Sequence, residues 1–276
     1  MVSSPTFVKW AGGKSQLIKQ FNPLFPQQIE NYFEPFVGGG AVFFHVMQEY
    51  KPKTALISDI NSELIDAYQV IRDSPLDLAK LLKQHKAKHC KEYYYKTRGL
   101  NPDSLSKTER AARFIYLNKT CFNGLYRVNS KNGFNVPMGS YKKPSIPDEE
   151  DIMLASKLLQ NVKIKNMHFS EVLNHASKGD FVYMDPPYYP VKEGKSFTSY
   201  TANDFSADDH RHLAEVYGKL SKKGALAMLS NSDTPFVGDL YSEYDITPVQ
   251  AKRMINSNGK GRGEVSEVVV RNYREI

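Results

Sequence analysis

The chain has 276 residues, of which 41% are hydrophobic and 24% charged, a globular composition that excludes a disordered or collagen-like chain. Two cysteines, Cys90 and Cys121, make no disulfide framework, so a reducing, cytoplasmic setting is expected. The net charge is +7, no apolar run approaches the roughly 18–20 residues a membrane span needs, and Met1 to Lys14 lacks the apolar core of a signal peptide.

Along the chain, Gln16–Phe21 reads as a short helix. Asn31–Glu34 is a strand ended by Pro35 and by Gly38, Gly39 and Gly40. Ala41–Tyr50 is apolar all round, a buried helix. Thr54–Ser58 is a second strand with Asp59 at its carboxyl end, and Asn61–Arg72 is an amphipathic helix. This strand, glycine turn, helix, strand, helix order predicts a doubly wound α/β sheet. Pro75–Lys119 is mostly helical and breaks the alternation. Asn123–Pro137 is turn-rich, with a hairpin signal at Lys131-Asn132-Gly133. Alternation resumes with strand Val162–Asn166, helix Glu171–Ala176, strand Phe181–Met184, helix Ala207–Leu220 and strands Ala225–Leu229 and Glu267–Asn272. The expected organisation is one α/β domain, residues 1–74 and 151–276, carrying a mainly helical insertion at 75–150.

The charge is uneven. Between Lys83 and Lys143 there are 14 Lys/Arg against 3 Asp/Glu, while the remainder is net acidic. The same stretch holds Tyr93, Tyr94, Tyr95, Phe114, Tyr116, Phe122, Tyr126, Phe134 and Tyr141. Interleaved cations and rings suit a nucleic-acid surface, with charges for phosphates and rings for bases. A solvated basic helix over its own aromatic core has the same composition.

Gly38-Gly39-Gly40 ends a strand and opens a helix, so backbone N–H groups there are free to meet a ligand. Asp59 ends the next strand, where a carboxylate accepts from ribose hydroxyls. A plain tight βα turn is the competing reading, and the spacing is not a dinucleotide fingerprint, since Phe43 stands at the third glycine position. Trp10-Ala11-Gly12-Gly13-Lys14-Ser15 fails as a P-loop, because Val8 occupies the first glycine position. It still sets a cation and a ring at a helix start, a carboxylate-binding arrangement.

Asp185-Pro186-Pro187-Tyr188 follows a buried strand, at the end where open α/β sheets bind ligands. Two prolines fix φ and donate no N–H, so their carbonyls are rigid acceptors. Asp185, the carbonyl of Pro186 and the ring of Tyr188 together form a clamp for a planar amine. An adenine amino group is a poor nucleophile because its lone pair is delocalised into the ring. Two fixed acceptors favour a pyramidal nitrogen and stabilise the positive charge that builds as it attacks a methyl group. The alternative is a simple strand-terminating turn.

These three elements, in this order, resemble the Dam-type DNA adenine-N6 methyltransferases of bacteria and phages, the D12 class with the alpha order of motifs. The residues that carry the likeness are Lys9 to Lys14, Glu34 to Phe43 and Asp185 to Tyr188, together with Phe122-Asn123-Gly124-Leu125-Tyr126-Arg127, Phe134 to Gly139 and Ile255 to Gly259. The resemblance implies a Rossmann-like methyltransferase sheet and S-adenosyl-L-methionine as methyl donor. Trp10, Ala11, Gly12 and Lys14 would meet the donor's methionine end, Pro35, Phe36, Gly38 and Gly40 would lie along it, Asp59 would hold the ribose, and Asp185 would stand where donor and target meet. It also implies that segment 75–150 recognises double-stranded DNA, with base flipping. Lys9, Leu125, Arg127 and Pro137 would face bases, Phe122 would wedge into the stack, and Asn123 and Tyr141 would contact the target or its backbone. The expected site is GATC, with another DNA site or RNA as the alternative, and the expected state is a monomer without an obligate protein partner. Lys252, Arg253, Lys260 and Arg262 flank a Ser-Asn-Gly loop that reads as a phosphate contact or as a plain surface loop.

No metal is expected. His85, His89 and Cys90 lack a fourth ligand and lie among lysines. Cys121 carries no partner pattern of a nucleophile, and Asp208 and Asp209 read as charges at a helix start.

Overall fold

The structure, a computed structural model, describes residues 4–129, 133–191, 205–252 and 264–274. In chain order the helices and strands are α1 Ile18–Phe21, β1 Asn31–Glu34, α2 Ala41–Glu49, β2 Thr54–Asp59, α3 Ser62–Asp73, α4 Pro75–Ala87, α5 Lys91–Arg98, α6 Lys107–Thr120, α7 Glu149–Leu159, β3 Val162–Asn166, β4 Phe181–Met184, α8 Ala207–Lys222, β5 Leu226–Ser232, α9 Pro235–Leu240, β6 Asp245–Lys252 and β7 Glu264–Arg271.

Among the described residues the strands form one sheet in the order β3-β2-β1-β4-β5-β7-β6. The first five run parallel, while β7 is antiparallel to both β5 and β6. Buried on both faces, β4 is apolar throughout, as Phe181-Val182-Tyr183-Met184 shows. Chain order reverses between β1 and β4, which pair through Tyr32 with Phe181 and Phe33 with Val182. The carboxyl ends of these two strands therefore open the crevice in which doubly wound sheets bind ligands.

Alternate residues divide two cores. Tyr32, Phe181 and Tyr183 join one cluster with residues of α1 to α7, and Phe33, Val182 and Met184 join another with α8 and α9. The first cluster runs without a break into segment 75–150, through Leu78, Tyr94, Phe114 and Tyr116. Within it α4 and α6 pack on α3, and α7 packs on both α3 and α4.

Several sequence expectations are corrected. The expected helix Gln16–Phe21 is a 3-10 turn at Lys14–Gln16 followed by α1, and the expected helix Glu171–Ala176 is a 3-10 turn at Phe169–Asn174. Strand β5 runs on to Ser232 and β7 starts at Glu264. Three elements escape the sequence reading: α7, α9 and β6. Strand β6 lies at the sheet edge and holds Pro248, a residue that weakens strand patterns and is tolerated at edges. The reading of a basic, ring-studded surface divides in two. Tyr94, Phe114, Tyr116, Tyr126 and Phe134 are core residues, as are the cations Arg113 and Lys119. Phe122 and Tyr95 remain at the surface. The expected signal at Lys131-Asn132 and the loop holding Arg253 to Arg262 lie outside the described residues, as does the side chain of Lys252.

Candidate active site

Asp185 stands one residue beyond β4, with 18% of its side chain exposed. Its Oδ1 accepts from Lys14 Nζ at 2.8 Å and from Ser230 Oγ at 2.9 Å. The Lys14 ammonium, itself buried, also donates to the Gly12 carbonyl at 2.5 Å and sits 4.6 Å from the centre of the Tyr188 ring. Tyr188 Oη donates to Glu267 Oε2 at 2.8 Å. Burial raises the Asp185 carboxyl above the usual carboxylate range, and Lys14 and the Ser230 hydroxyl oppose that rise.

Next to it, at the end of β1, Glu34 is 2% exposed and accepts from Tyr32 Oη at 2.5 Å. Burial pushes its carboxyl well up, the Tyr32 hydroxyl opposes this, and Asp185 and Asp59 push it further. Asp59 closes β2. Its Oδ2 accepts from Gly38 N at 3.1 Å and its Oδ1 from Asn61 N at 2.9 Å. Burial lifts the Asp59 carboxyl to about 6 against those N–H groups. Among the described residues, three carboxyl groups thus stand at neighbouring strand ends, with the buried Lys14 ammonium on Asp185.

The glycine turn is compelled by its neighbours. Gly40 has φ +71°, and a Cβ there would lie 2.5 Å from Tyr68 Oη. At Gly38, φ is +47° and a Cβ would meet Trp10 at 2.7 Å. The side chain of Trp10 therefore lies directly on the turn. Phe36 stacks on Phe169 with centroids 5.3 Å apart, and Pro35 and Pro186 are buried beside the strand ends.

The comparisons with known proteins point one way. Residues 10–255 match the model of the D12 class N6 adenine-specific DNA methyltransferases. The chain belongs to this family. It is 44% identical over 273 residues to the type II methyltransferase M1.LlaDCHI of Lactococcus lactis subsp. cremoris, covering 97% of this chain and 95% of that one. It is 45% identical over 287 residues to the type II methyltransferase M.MjaIII of Methanocaldococcus jannaschii, covering 97% and 98%. The DNA adenine methylase of Escherichia coli K12 is 34% identical over 273 residues, covering 98% and 95%. The chain is thus an adenine-specific DNA methyltransferase, and its sheet is the Rossmann-like methyltransferase sheet.

The methyltransferase's expected DNA-facing residues gather around one hairpin. Phe122 N donates to the Pro137 carbonyl at 2.8 Å, Asn135 N to the Arg127 carbonyl at 3.0 Å, and Asn129 N to the Gly133 carbonyl at 2.9 Å. Phe122 is 50% exposed, a large ring left outside the core. Asn123 adopts φ +56°, which asparagine tolerates better than most residues. Leu125 is half-buried, Pro137 and Arg127 are exposed, and Arg127 Nε donates to Asn135 Oδ1 at 2.7 Å. The Lys9 ammonium donates to Tyr141 Oη at 3.1 Å and lies 4.2 Å from the centre of that ring.

Residues 9 to 14 join the two regions. Lys9 meets the hairpin, Trp10 packs on both the glycine turn and Tyr126 (centroids 5.8 Å), and Lys14 reaches Asp185. Ala11 and Gly12 lie between them and are exposed.

Four residues here make contacts that were not read from the sequence. Asn118 accepts from Lys9 N at 2.7 Å and donates to the carbonyls of Lys9 and Gly124 at 2.8 and 3.1 Å, fixing Lys9 to the hairpin. Tyr126 donates to Glu63 on α3 at 2.6 Å. Glu34 and Ser230 are buried beside Asp185. The available signals were an acid closing an apolar strand and a polar run, Ser230-Asn231-Ser232, closing another.

The stretch set aside for metal is otherwise engaged. His85 Nδ1 bonds Tyr93 Oη at 2.9 Å while its ring stacks on Tyr116, and Cys90 Sγ accepts from Tyr93 N at 3.4 Å. Burial pushes the Cys121 thiol up to about 12, which makes it a poor nucleophile. Ser206, with Asp209, caps α8 in a capping box.

Proposed function

We propose that this enzyme transfers a methyl group from S-adenosyl-L-methionine to N6 of an adenine flipped out of duplex DNA, at the site GATC. The observation that carries the reading is Asp185 at the sheet's reversal point, held on Oδ1 by Lys14 and Ser230 beside the Tyr188 ring. The donor set suits the cofactor. Asp59 would accept from the ribose hydroxyls, Trp10, Ala11, Gly12 and Lys14 would meet the carboxylate end, and Pro35, Phe36, Gly38 and Gly40 would line its length. When bound, the cofactor supplies an electrophilic methyl on a cationic sulfonium.

Asp185 and the carbonyl of Pro186 accept the two amino protons of the target, and Tyr188 stacks on its ring. The acceptors return density to nitrogen, and the carboxylate offsets the charge that grows as the N–C bond forms. Phe122 fills the gap the flipped base leaves, which offsets an unstacking cost of a few kcal/mol. Arg127 reads a guanine edge, Lys9, Leu125 and Pro137 meet neighbouring bases, and Asn123 and Tyr141 hold the target strand. Recognition falls to segment 75–150 and the methyl-transfer chemistry to 1–74 and 151–276, within a cytoplasmic, DNA-associated monomer.

Labelled-methyl transfer to duplexes bearing GATC, each of its single-pair variants, and RNA tests the proposal. GATC duplexes should be methylated and RNA should not. Arg127→Ala should weaken discrimination at one base pair by about 1–3 kcal/mol. A uniform loss across all sequences would make Arg127 a phosphate contact instead.

A further inference from the structure

Three successive residues at the end of β5 hold the segment that follows β4, one at Asp185 and two at Tyr189, the residue just past Asp-Pro-Pro-Tyr. Ser230 Oγ donates to Asp185 Oδ1 at 2.9 Å, Asn231 Oδ1 accepts from Tyr189 N at 3.1 Å, and Ser232 Oγ donates to the Tyr189 carbonyl at 2.7 Å. Ser230 and Asn231 are 0% exposed, so none of this is a surface accident. Behind Ser230 stands Tyr183, also 0% exposed, with its Oη 2.9 Å from Ser230 Oγ.

The proton count gives the chain a direction. An ionised carboxylate only accepts, so Ser230 spends its one proton on Asp185. The Tyr183 hydroxyl must then donate to Ser230. The run is Tyr183 to Ser230 to Asp185, and it ends on Oδ1, the same oxygen that Lys14 holds.

We propose that Ser230 is a positioning residue for methyl transfer: by donating to Oδ1 it fixes the rotation of the Asp185 carboxylate, so that Oδ2 is presented to the target amine. The inference rests on the reading of Asp185 as the amine's acceptor. A carboxylate held by Lys14 alone would be tethered to a flexible four-carbon chain. Ser230, on a central strand, is a rigid tether. Burial opposes the ionised form of Asp185, Lys14 and the Ser230 hydroxyl favour it, and Asp185 in turn raises the carboxyl of Glu34 on β1. Among the described residues, Tyr32 on β1, Tyr183 on β4, and Tyr188 with its partner Glu267 on β7 are the further titratable neighbours.

Single-turnover methyl transfer by the full chain across pH, for Ser230→Ala, Ser230→Thr and Tyr183→Phe, tests this. Ser230→Ala should slow the step about 10- to 100-fold, the scale expected for losing a hydrogen bond to a charged group. DNA affinity should be unchanged, and the acid limb of the rate profile should move to higher pH. Ser230→Thr, which keeps the hydroxyl, should recover part of the rate. Tyr183→Phe leaves Asp185 untouched and should shift the limb the same way by less, which preserves the test should Ser230→Ala fail to fold. An unmoved acid limb with a wild-type rate, or a loss seen only as weaker DNA binding, would overturn the role of Ser230. Asp185→Ala run alongside separates the two readings. If it stays active the amine clamp itself is wrong, whereas a dead Asp185→Ala beside a wild-type Ser230→Ala refutes only the positioning role.

Discussion

Asp59 shows how one residue serves structure and ligand together. Its two oxygens fix Gly38 and Asn61, so the same carboxylate that would face a ribose also shapes the turn beside it. Its carboxyl is lifted to about 6 by burial. As pH falls through that value the group gains a proton and becomes a poorer acceptor for ribose hydroxyls. Affinity for S-adenosyl-L-methionine, measured by calorimetry, should therefore fall as pH drops below about 6. Asp59→Asn, which has no proton to gain, should bind more weakly at pH 8 and show no such fall. A wild-type affinity that is flat between pH 5 and 8 would remove Asp59 from the ribose contact.

At the scale of elements, the hairpin is an extension of α6 and of the N-terminal strap. Asn118, on α6, closes three hydrogen bonds at once, two to Lys9 and one to Gly124. Gly124 has φ +66°, and a Cβ there would lie 2.5 Å from Lys9 Cβ, so strap and hairpin are in direct contact. Asn118→Ala would remove the partner of the part-buried Lys9 backbone groups and of the buried Gly124 carbonyl, at about 1–3 kcal/mol each at most. Thermal or denaturant unfolding should show a loss within that scale, and specific DNA binding should weaken more than non-specific binding. Equal loss of both would separate Lys9 from base reading. These elements also show what was legible from sequence. The strand ends bearing Glu34, Asp59 and Asp185 were readable because apolar runs stop at an acid, a glycine or a proline. Asn118 and Ser230 were not, because their roles depend on partners 109 and 45 residues away. Nor did composition tell the rings of the basic segment apart, since Tyr116 in the core and Phe122 at the surface follow cations alike.

At the scale of the molecule, the +7 net charge is concentrated in one segment, yet Arg113 and Lys119 spend theirs internally. Arg113 donates to the carbonyls of Thr97 and Arg98, and Lys119 to that of Thr6. The remaining cations leave a strong positive field, and DNA affinity should fall steeply as salt rises. A flat dependence would rule out the basic segment as the DNA face. Among the described residues no helix is long and apolar enough to cross a membrane. The sheet order brings β1, β2 and β4 side by side, so that residues 34, 59 and 185, far apart in the chain, share one crevice.

The most direct measurement is single-turnover methyl transfer to duplex DNA by Asp185→Ala, with DNA binding followed by anisotropy on the same sample. The expected result is no detectable transfer with DNA affinity within a few-fold of wild type, because only the acceptor for the amine is lost. Transfer at a rate near wild type would contradict it.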